Sequence, residues 1–345
     1  MYSRRTQLAE QVWQLQCAMF PASRWQVQPA LCVADTEAYL GHLYEAMLVF
    51  DKSLFTAHIC WLHRVLQARA VPSDHLLQNL QAAKTVLRQQ LTETAGPLAE
   101  LYLTAACHAI EQGVAEGPLL APAEQGSAAA QYLQLLLAGQ RQAAYQLVQQ
   151  LLASRWTLQE VYLHIFQASQ YRIGQLWQEN ELSVAQEHYC TAVTQSIMGS
   201  LLPSLFGAPR CGLKLLACCT TGELHELGLR MVTDFFELDG FDTYFVGANT
   251  AAGTAVQMAA DLQVDLIAIS TTMTPQVSLV RQAIAHFRQT SATASIPILV
   301  GGYPFKASPG LWKQVGADGF GNDAQEALLA AHMLLKLPGT NFPLP

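Results

Sequence analysis

Glu223, His225 and Gly228 combine residue types and a spacing that could bind a metal ion. They form the pattern E-x-H-x-x-G, which directly follows an apolar run typical of a buried strand, LKLLACC. A neutral imidazole on a loop can give one ring nitrogen to a metal, and a carboxylate two residues away can hold the other ring nitrogen. Taken alone, an exposed His beside a Glu is usually a solvated polar pair, so the pattern needs support from the rest of the chain.

Two further short motifs follow at predicted strand ends in the same region. Ser270-Thr271-Thr272 begins after the 41 residues that follow Gly228, and Gly301-Gly302 begins after the 28 residues that follow Thr272. The Ser270 hydroxyl can form a hydrogen bond with a ligand, and the two glycines let a ligand lie against the backbone. Each motif singly is typical of an ordinary turn, but together on one sheet they predict a binding site.

The region from residue 211 to 340 has the pattern of an α/β domain. Short apolar runs alternate there with segments long enough for helices, and these runs are LKLLACC, TYFVG, VDLIAIS, IPILVGG and ADGFG. Buried strands that alternate with helices are typical of a parallel, doubly wound sheet. We therefore predict a Rossmann-like (flavodoxin-like) domain that binds its ligand beyond the carboxyl ends of the strands.

The rest of the chain is predicted to be helical. Between residues 127 and 207, four runs of helical periodicity with short connections indicate a four-helix bundle, and Ser183 with Gln186 is typical of a capping box that opens the fourth helix. Residues 1–120 are also predicted to be helical, with a role in sensing or dimerisation. Gly, Pro, Ala and Ser accumulate between residues 116 and 127, which predicts the domain boundary there.

The composition narrows the classes of protein. The chain has 345 residues, 51% of them apolar and 13% charged, with a net charge of −7. Because Lys and Arg form no cluster, direct binding of nucleic acid is not expected. No apolar stretch is long enough for a membrane span, and the first residues do not resemble a secretory signal. The eight cysteines form no CxxC pair and are expected to be reduced thiols, so we predict a cytoplasmic protein.

The three motifs of the C-terminal domain resemble those of cobalamin-binding domains of the methionine synthase and corrinoid-protein type. Those domains carry D/E-x-H-x-x-G, S-x-L/T and GG at spacings that match the ones found here. The resemblance implies that His225 is the lower axial ligand of cobalt, in place of the cofactor's own base, with Glu223 as its partner. It also implies that the displaced nucleotide tail is surrounded by Gly228, Ser270, Thr272, Gly301 and Gly302.

The helical bundle contains another motif, W-x9-E-H, formed by Trp177, Glu187 and His188. It resembles the CarH-type cobalamin photoreceptors, whose bundle covers the upper face of adenosylcobalamin. The resemblance implies that Trp177 covers the upper axial group with its flat indole, and that Glu187 and His188 line the same cavity. Two departures are clear. Gln178 stands where that pattern has a second cobalt-binding His, and residues 1–115 show no DNA-binding helix-turn-helix.

These resemblances lead to two functions of different classes. The first is a light sensor in which photolysis of adenosylcobalamin shifts the bundle and signals to a downstream partner outside this sequence. Such a chain is not an enzyme, is expected to form a homo-oligomer, and has biliverdin as a candidate second chromophore. The alternative is a corrinoid carrier of a methyltransferase system with methylcobalamin as cofactor, which Gln178 favours. The W-x9-E-H motif favours the sensor.

Overall fold

The computed structural model of the protein describes residues 1–21, 27–113, 127–207 and 209–337. These residues fall into two compact units, with the bounds Met1–Gly117 plus Gln178–Asn180 and Pro118–Trp177 plus Glu181–Pro345. The predicted boundary segment, up to residue 126, lies outside the described residues. The second unit contains both the predicted bundle and the predicted α/β domain.

The first unit consists of helices, as the periodicity of residues 1–120 predicts. Its long helices in the described part are α1 (Arg5–Met19), α2 (Pro29–Leu48), α3 (Lys52–Ala68), α4 (Ser73–Gln90) and α5 (Ala95–Glu111). A buried polar cluster lies among their apolar faces, because Asn79 donates from Nδ2 to Gln16 Oε1 (2.9 Å) and accepts from the Tyr39 hydroxyl (2.7 Å). Such satisfied buried groups fix one arrangement of the helices.

The second unit begins with the helical bundle. Its segments are α6 (Ala128–Leu137), α7 (Arg141–Ala153), α8 (Leu158–Val161), a π-helical segment (Tyr162–Gln167), α9 (Ala168–Gln178) and α10 (Val184–Ser200). The three segments from residue 158 to 178 follow each other without a break, so the bundle has four helical rods, as predicted. The predicted capping box is present, because Ser183 N donates to Gln186 Oε1 (3.0 Å) and Gln186 N donates to Ser183 Oγ (3.3 Å).

The sheet of the second unit has five parallel strands among the described residues, in the order β2-β1-β3-β4-β5. They are β1 (Lys214–Cys219), β2 (Asp242–Gly247), β3 (Leu266–Ser270), β4 (Ile298–Gly301) and β5 (Gly319–Phe320). The helices between and after them are α11 (Leu227–Leu238), α12 (Ala252–Leu262), α13 (Val277–Gln289), α14 (Tyr303–Ala307), α15 (Leu311–Gln314) and α16 (Ala324–Leu335). This is the predicted doubly wound, Rossmann-like fold.

Helix α11 packs on both layers of the second unit. Leu227, Met231 and Phe235 lie in the hydrophobic core of the bundle, whereas Leu229 and Phe236 lie in the core of the sheet. Full burial of an apolar side chain of this size contributes about 1.5–3 kcal/mol, so α11 is held firmly on two sides. The loop that precedes α11 carries His225, and this loop is therefore fixed at its carboxyl end.

In the described part of the chain, no helix combines the length and the apolar character needed to cross a membrane.

Candidate functional site

Glu223 and His225 form a fixed pair at the carboxyl end of β1. The Glu223 carboxylate is fully buried, and its Oε1 atom accepts hydrogen bonds from His225 Nδ1 (2.6 Å) and from His225 N (2.9 Å). The His225 side chain itself is 63% exposed. Because Nδ1 donates to the carboxylate, the lone pair of the neutral ring lies on Nε2, at the exposed side of the loop.

The electrostatics of the pair follow from this geometry. Burial raises the pKa of Glu223, but hydrogen bonds from His225 and from the Thr272 backbone outweigh it and lower this pKa to about 2. The hydrogen bond to Glu223 raises the pKa of His225 above its ordinary value, burial lowers it, and the charges of Glu223 and Glu187 add to the rise. A permanently charged Glu223 makes the imidazole a better electron donor to a metal.

Strand register brings the three C-terminal motifs to one edge of the sheet. Cys219, at the end of β1, pairs with Ser270 of β3, and Ser270 pairs with Gly301 of β4. Beyond these pairs, Thr271 N donates to Gly301 O (3.1 Å). The sequence placed these motifs at strand ends, and the parallel pairing makes them neighbours.

Gly302 is required by a close approach of two backbone segments. Its φ is +105°, and a Cβ atom added there would lie 1.9 Å from Thr271 O. A side chain would therefore push apart the turns after β3 and β4. Gly301, in contrast, would place its Cβ at an ordinary distance of 3.6 Å from Gly321 O. The two glycines of the motif thus differ: one is demanded by the backbone, and the other leaves a surface that a ligand can approach.

The Ser270-Thr271-Thr272 segment contacts the buried Glu223 carboxylate through Thr271 and Thr272, and the sequence predicted only Thr272 as a site residue. Thr272 N donates to Glu223 Oε2 (2.5 Å), as does Met273 N (3.3 Å). The Thr271 hydroxyl is buried, 2.8 Å from Gln276 Oε1 and 3.3 Å from Glu223 Oε2. Sequence reasoning treated Thr271 as a spacer, although a hydroxyl in the middle of the motif was the available signal.

Asn249 is a second residue that sequence reasoning missed. Its side-chain Oδ1 accepts from Gly222 N (2.8 Å), and its backbone N donates to Glu223 O (2.9 Å). Asn249 has a positive φ of 50°, a conformation that Asn tolerates better than most residues. It therefore fixes the backbone of the His225 loop from the end of β2, and an Asn shortly after a strand was the only sequence signal for it.

The surroundings of His225 leave room for a ligand. A Cβ atom added at Gly228 would meet nothing within 4 Å, so the first turn of α11 has open space beside it. Thr220, at the end of β1, has a buried hydroxyl without a hydrogen-bond partner among the described residues. The loop offers one imidazole nitrogen, which suits a metal already held by a macrocycle. These features fit a cofactor such as cobalamin, with a cobalt to ligate and a polar tail to bury.

The residues of the W-x9-E-H motif lie in two consecutive helices of the bundle. Trp177 is half-buried in the last turn of α9, and Glu187 and His188 lie in the first turn of α10. His188 Nε2 is 3.3 Å from Glu187 Oε2, and the His188 side chain is 73% exposed. Gln195 of the same helix α10 donates to Glu226 Oε1 (3.3 Å), the residue after His225, so α10 packs against the His225 loop.

The second unit thus belongs to a recognisable class: a parallel α/β domain with an imidazole on its first loop, joined to a helical bundle by a shared helix. Residues 213–329 match a protein-family model described as a B12 binding domain, and residues 128–202 match a second family model with the same description. The chain is therefore a cobalamin-binding domain protein.

Proteins similar to this chain include several corrinoid proteins of methanogens. The dimethylamine corrinoid protein 2 of Methanosarcina mazei is 26% identical over 114 residues, which are 33% of this chain and 52% of that protein. The trimethylamine corrinoid protein 2 of Methanosarcina acetivorans is 29% identical over 107 residues, 31% of this chain and 48% of that protein. The chain thus spans about half the length of the curated relatives it matches.

A solved structure supports the same fold. The monomethylamine corrinoid protein of Methanosarcina barkeri superimposes with a TM-score of 0.54, at 19% sequence identity, over 59% of this chain and 96% of that protein. At this identity the similarity concerns the fold.

Proposed function

We propose that this protein is a corrinoid carrier of a methyltransferase system, with His225 as the lower axial ligand of cobalt. The observation that carries the proposal is the Glu223–His225 pair, in which a fully buried carboxylate fixes Nδ1 of an imidazole whose side chain is 63% exposed, so that Nε2 keeps its lone pair. The similarity to corrinoid proteins of methanogens supports the carrier rather than the light sensor as the main function. The chain then acts as a subunit that carries a group rather than as an enzyme by itself.

In this proposal each residue of the C-terminal motifs has a defined task. Bound cobalamin supplies a cobalt that can accept a methyl group from one molecule and give it to another. Glu223 holds the tautomer and the orientation of the His225 ring. Gly228, at the open first turn of α11, and Ser270, Thr272, Gly301 and Gly302, at the ends of β3 and β4, would hold the nucleotide tail.

In this proposal the bundle residues of the W-x9-E-H motif would cover the cofactor on the side away from His225. Trp177 shields the upper position from water with its apolar ring, and Glu187 and His188 supply polar groups at the rim. The methyl donor and acceptor are bound by separate methyltransferase proteins, which are the expected partners. We also propose a homo-oligomer. A cytoplasmic location is proposed because none of the eight cysteines, all in the described part, is in a disulfide.

A light sensor remains the second candidate function. It is favoured by the W-x9-E-H motif together with the contact of Gln195 on α10 with Glu226, next to the proposed ligand (3.3 Å). Adenosylcobalamin would be its cofactor, biliverdin a candidate second chromophore, and a downstream signalling protein its partner. With Gln178 in place of the second His, the illuminated protein would not gain a cobalt ligand at that position.

One experiment separates the two functions. The protein is loaded with methylcobalamin or adenosylcobalamin, and absorption and size-exclusion elution are recorded in the dark and after green light. A carrier keeps its elution volume and, in the dark, delivers the methyl group when a corrinoid-dependent methyltransferase and a thiol acceptor are added. A light sensor changes its conformation or assembly and delivers no methyl group. Absence of binding to either cofactor would refute both functions.

A further inference from the structure

Glu226 connects the His225 loop to the bundle. It follows His225 directly and precedes α11, and its backbone carbonyl accepts from Arg230 N (2.9 Å). Its side chain does not cap α11. Instead, Glu226 Oε1 accepts from Gln195 Nε2 of α10 (3.3 Å), and Glu226 Oε2 accepts from Ala248 N after β2 (2.8 Å). The Glu226 carboxylate thus joins three parts of the second unit: the His225 loop, helix α10 and the segment that follows β2.

The Glu226 carboxylate lies against the backbone at Gly247, where the absence of a side chain leaves room for it. Gly247 has a φ of +83°, and a Cβ atom added there would lie 2.6 Å from Glu226 Oε2. Only a residue without a side chain allows the carboxylate to reach Ala248 N. This close approach is independent of the contact with Gln195 and shows that the position of Glu226 is closely confined.

Helix α11 has a second polar connection to the bundle two turns further along. The Tyr162 hydroxyl, in the π-helical segment, donates to Asp234 Oδ2 (2.8 Å), and Arg230 Nε donates to Asp234 Oδ1 (3.0 Å). Tyr162 and Asp234 are both buried. Helix α11 is therefore fixed to the bundle along its length, and the Glu226–Gln195 contact is the part of this connection that lies next to His225 in the chain.

We propose that Glu226 is a positioning residue that couples coordination by His225 to the seating of α10 over the cofactor. This inference rests on the proposed function, because it requires His225 as the axial ligand. Glu226 would keep Gln195 and α10 in a fixed relation to a His225 that coordinates cobalt. A coupling of this kind is reciprocal: a seated α10 favours coordination by His225 to the same extent that coordination favours seating.

The test uses two substitutions that each weaken the contact between Glu226 and Gln195 and that together restore it. Gln195→Glu sets a second carboxylate against Glu226 and removes the donor. Glu226→Gln keeps an acceptor for Ala248 N but loses the charge. The double variant exchanges donor and acceptor, since the new amide at 226 can donate to the new carboxylate at 195, and both contacts return. Ser196→Ala is the matched control on α10, because Ser196 is exposed and its hydroxyl donates within its own helix to Ala192 O.

The first readout is the spectrum of full-length protein loaded with cob(II)alamin and labelled with ¹⁵N-histidine. A coordinated ¹⁵N splits the electron paramagnetic resonance lines of cobalt into doublets, which identifies the His nitrogen. As the pH is lowered, protons compete with cobalt for the His225 nitrogen. The pH at which half of the doublet is lost therefore measures the strength of coordination. Since a hydrogen bond to a charged group is worth about tenfold or more, we expect this pH to rise by about one unit in Gln195→Glu and to return in the double variant. It should also rise in Glu226→Gln, where the loss of a negative charge by itself would lower it.

The second readout is amide hydrogen exchange in Val184–Ser200 of the loaded protein. We expect faster exchange there both in Gln195→Glu and in His225→Ala, whereas Ser196→Ala should match the wild type in both readouts. Faster exchange in Gln195→Glu with an unchanged pH midpoint would overturn the coupling, as would a double variant that fails to recover. A wild-type spectrum without the doublet would overturn the axial assignment and the coupling with it. Failure to transfer a methyl group leaves both readouts unaffected and concerns the proposed function alone.

Discussion

Replacement of Glu223 by Gln should destabilise the sheet in a way that depends on pH, even without cofactor. The carboxylate is fully buried and receives hydrogen bonds from His225 and Thr272, which hold its pKa at about 2 against an ordinary value of 4.5. A depressed carboxylate pKa stabilises the fold above the unfolded pKa, and this stability is lost as the pH falls through the folded value. The difference corresponds to about 3 kcal/mol at pH 5.5.

Because the stabilisation by the Glu223 charge is lost as the pH falls, the assay compares the two proteins at two pH values. Glu223→Gln should lower the free energy of opening of the sheet by about 3 kcal/mol at pH 5.5, and the gap to the wild type should narrow by about 1 kcal/mol at pH 3.5. In the wild type the pKa of His225 is raised above its ordinary value by the hydrogen bond to Glu223, so its ring is protonated in the folded and unfolded states over this range. Native-state hydrogen exchange in β1 and β3 measures the opening of the sheet itself rather than of the first unit.

Glu181 provides the matched control for the substitution of Glu223. Glu181→Gln removes an exposed carboxylate of the same type and should change stability by no more than about 0.5 kcal/mol. A Glu223→Gln variant that lost less than about 1 kcal/mol at pH 5.5, or whose deficit did not change with pH, would refute the role of the buried charge. In the loaded protein the same variant should bind hydroxocobalamin about 10–100-fold more weakly, because the orientation of the imidazole is lost.

Four further predictions follow from the geometry. His225→Ala should abolish the ¹⁵N doublet of cob(II)alamin while the apo fold persists, and a retained doublet would show that His225 is not the axial ligand. Gly302→Ala should unfold the second unit or destabilise it by several kcal/mol in urea unfolding, since its Cβ would meet Thr271 O; wild-type stability would contradict the close approach. Gly228→Val should leave apo stability within about 1 kcal/mol but weaken cobalamin binding in titrations, and unchanged binding would remove the tail from this turn. Trp177→Ala should retain cobalamin but speed photolysis or hydrolysis of the upper group, and identical rates would exclude the covering role.

The candidate cofactor-binding residues of the C-terminal domain could be predicted from the sequence because they lie in short patterns. Glu223 and His225 are two residues apart, and the capping box of Ser183 and Gln186 is equally local. The alternation of strands and helices likewise reflects burial, which each segment encodes in its own residues. The bundle and the doubly wound sheet were predictable for this reason, and the common edge of the three motifs follows from the parallel arrangement of the strands that carry them.

The W-x9-E-H motif shows the limit of such patterns for function. Trp177, Glu187 and His188 are spaced as in one group of cobalamin proteins, yet the similarity to corrinoid proteins of methanogens favours another activity. A flat aromatic cover and two polar groups suit a light-sensitive upper ligand and a transferable methyl group alike. Residue types and spacing therefore identified the cofactor, whereas the choice between sensor and carrier depends on partners outside these patterns.

The sequence by itself determined which residues could hold a cofactor and which elements carry them, because those signals act over a few residues. The tertiary structure alone decided what holds the site in place: Thr271 and Asn249 at Glu223, the close approach at Gly302, and Glu226 between the loop and α10. These contacts join segments that are tens of residues apart. Their partners are set by the register of parallel strands and the packing of α11 between two cores, and no local pattern of residues encodes either.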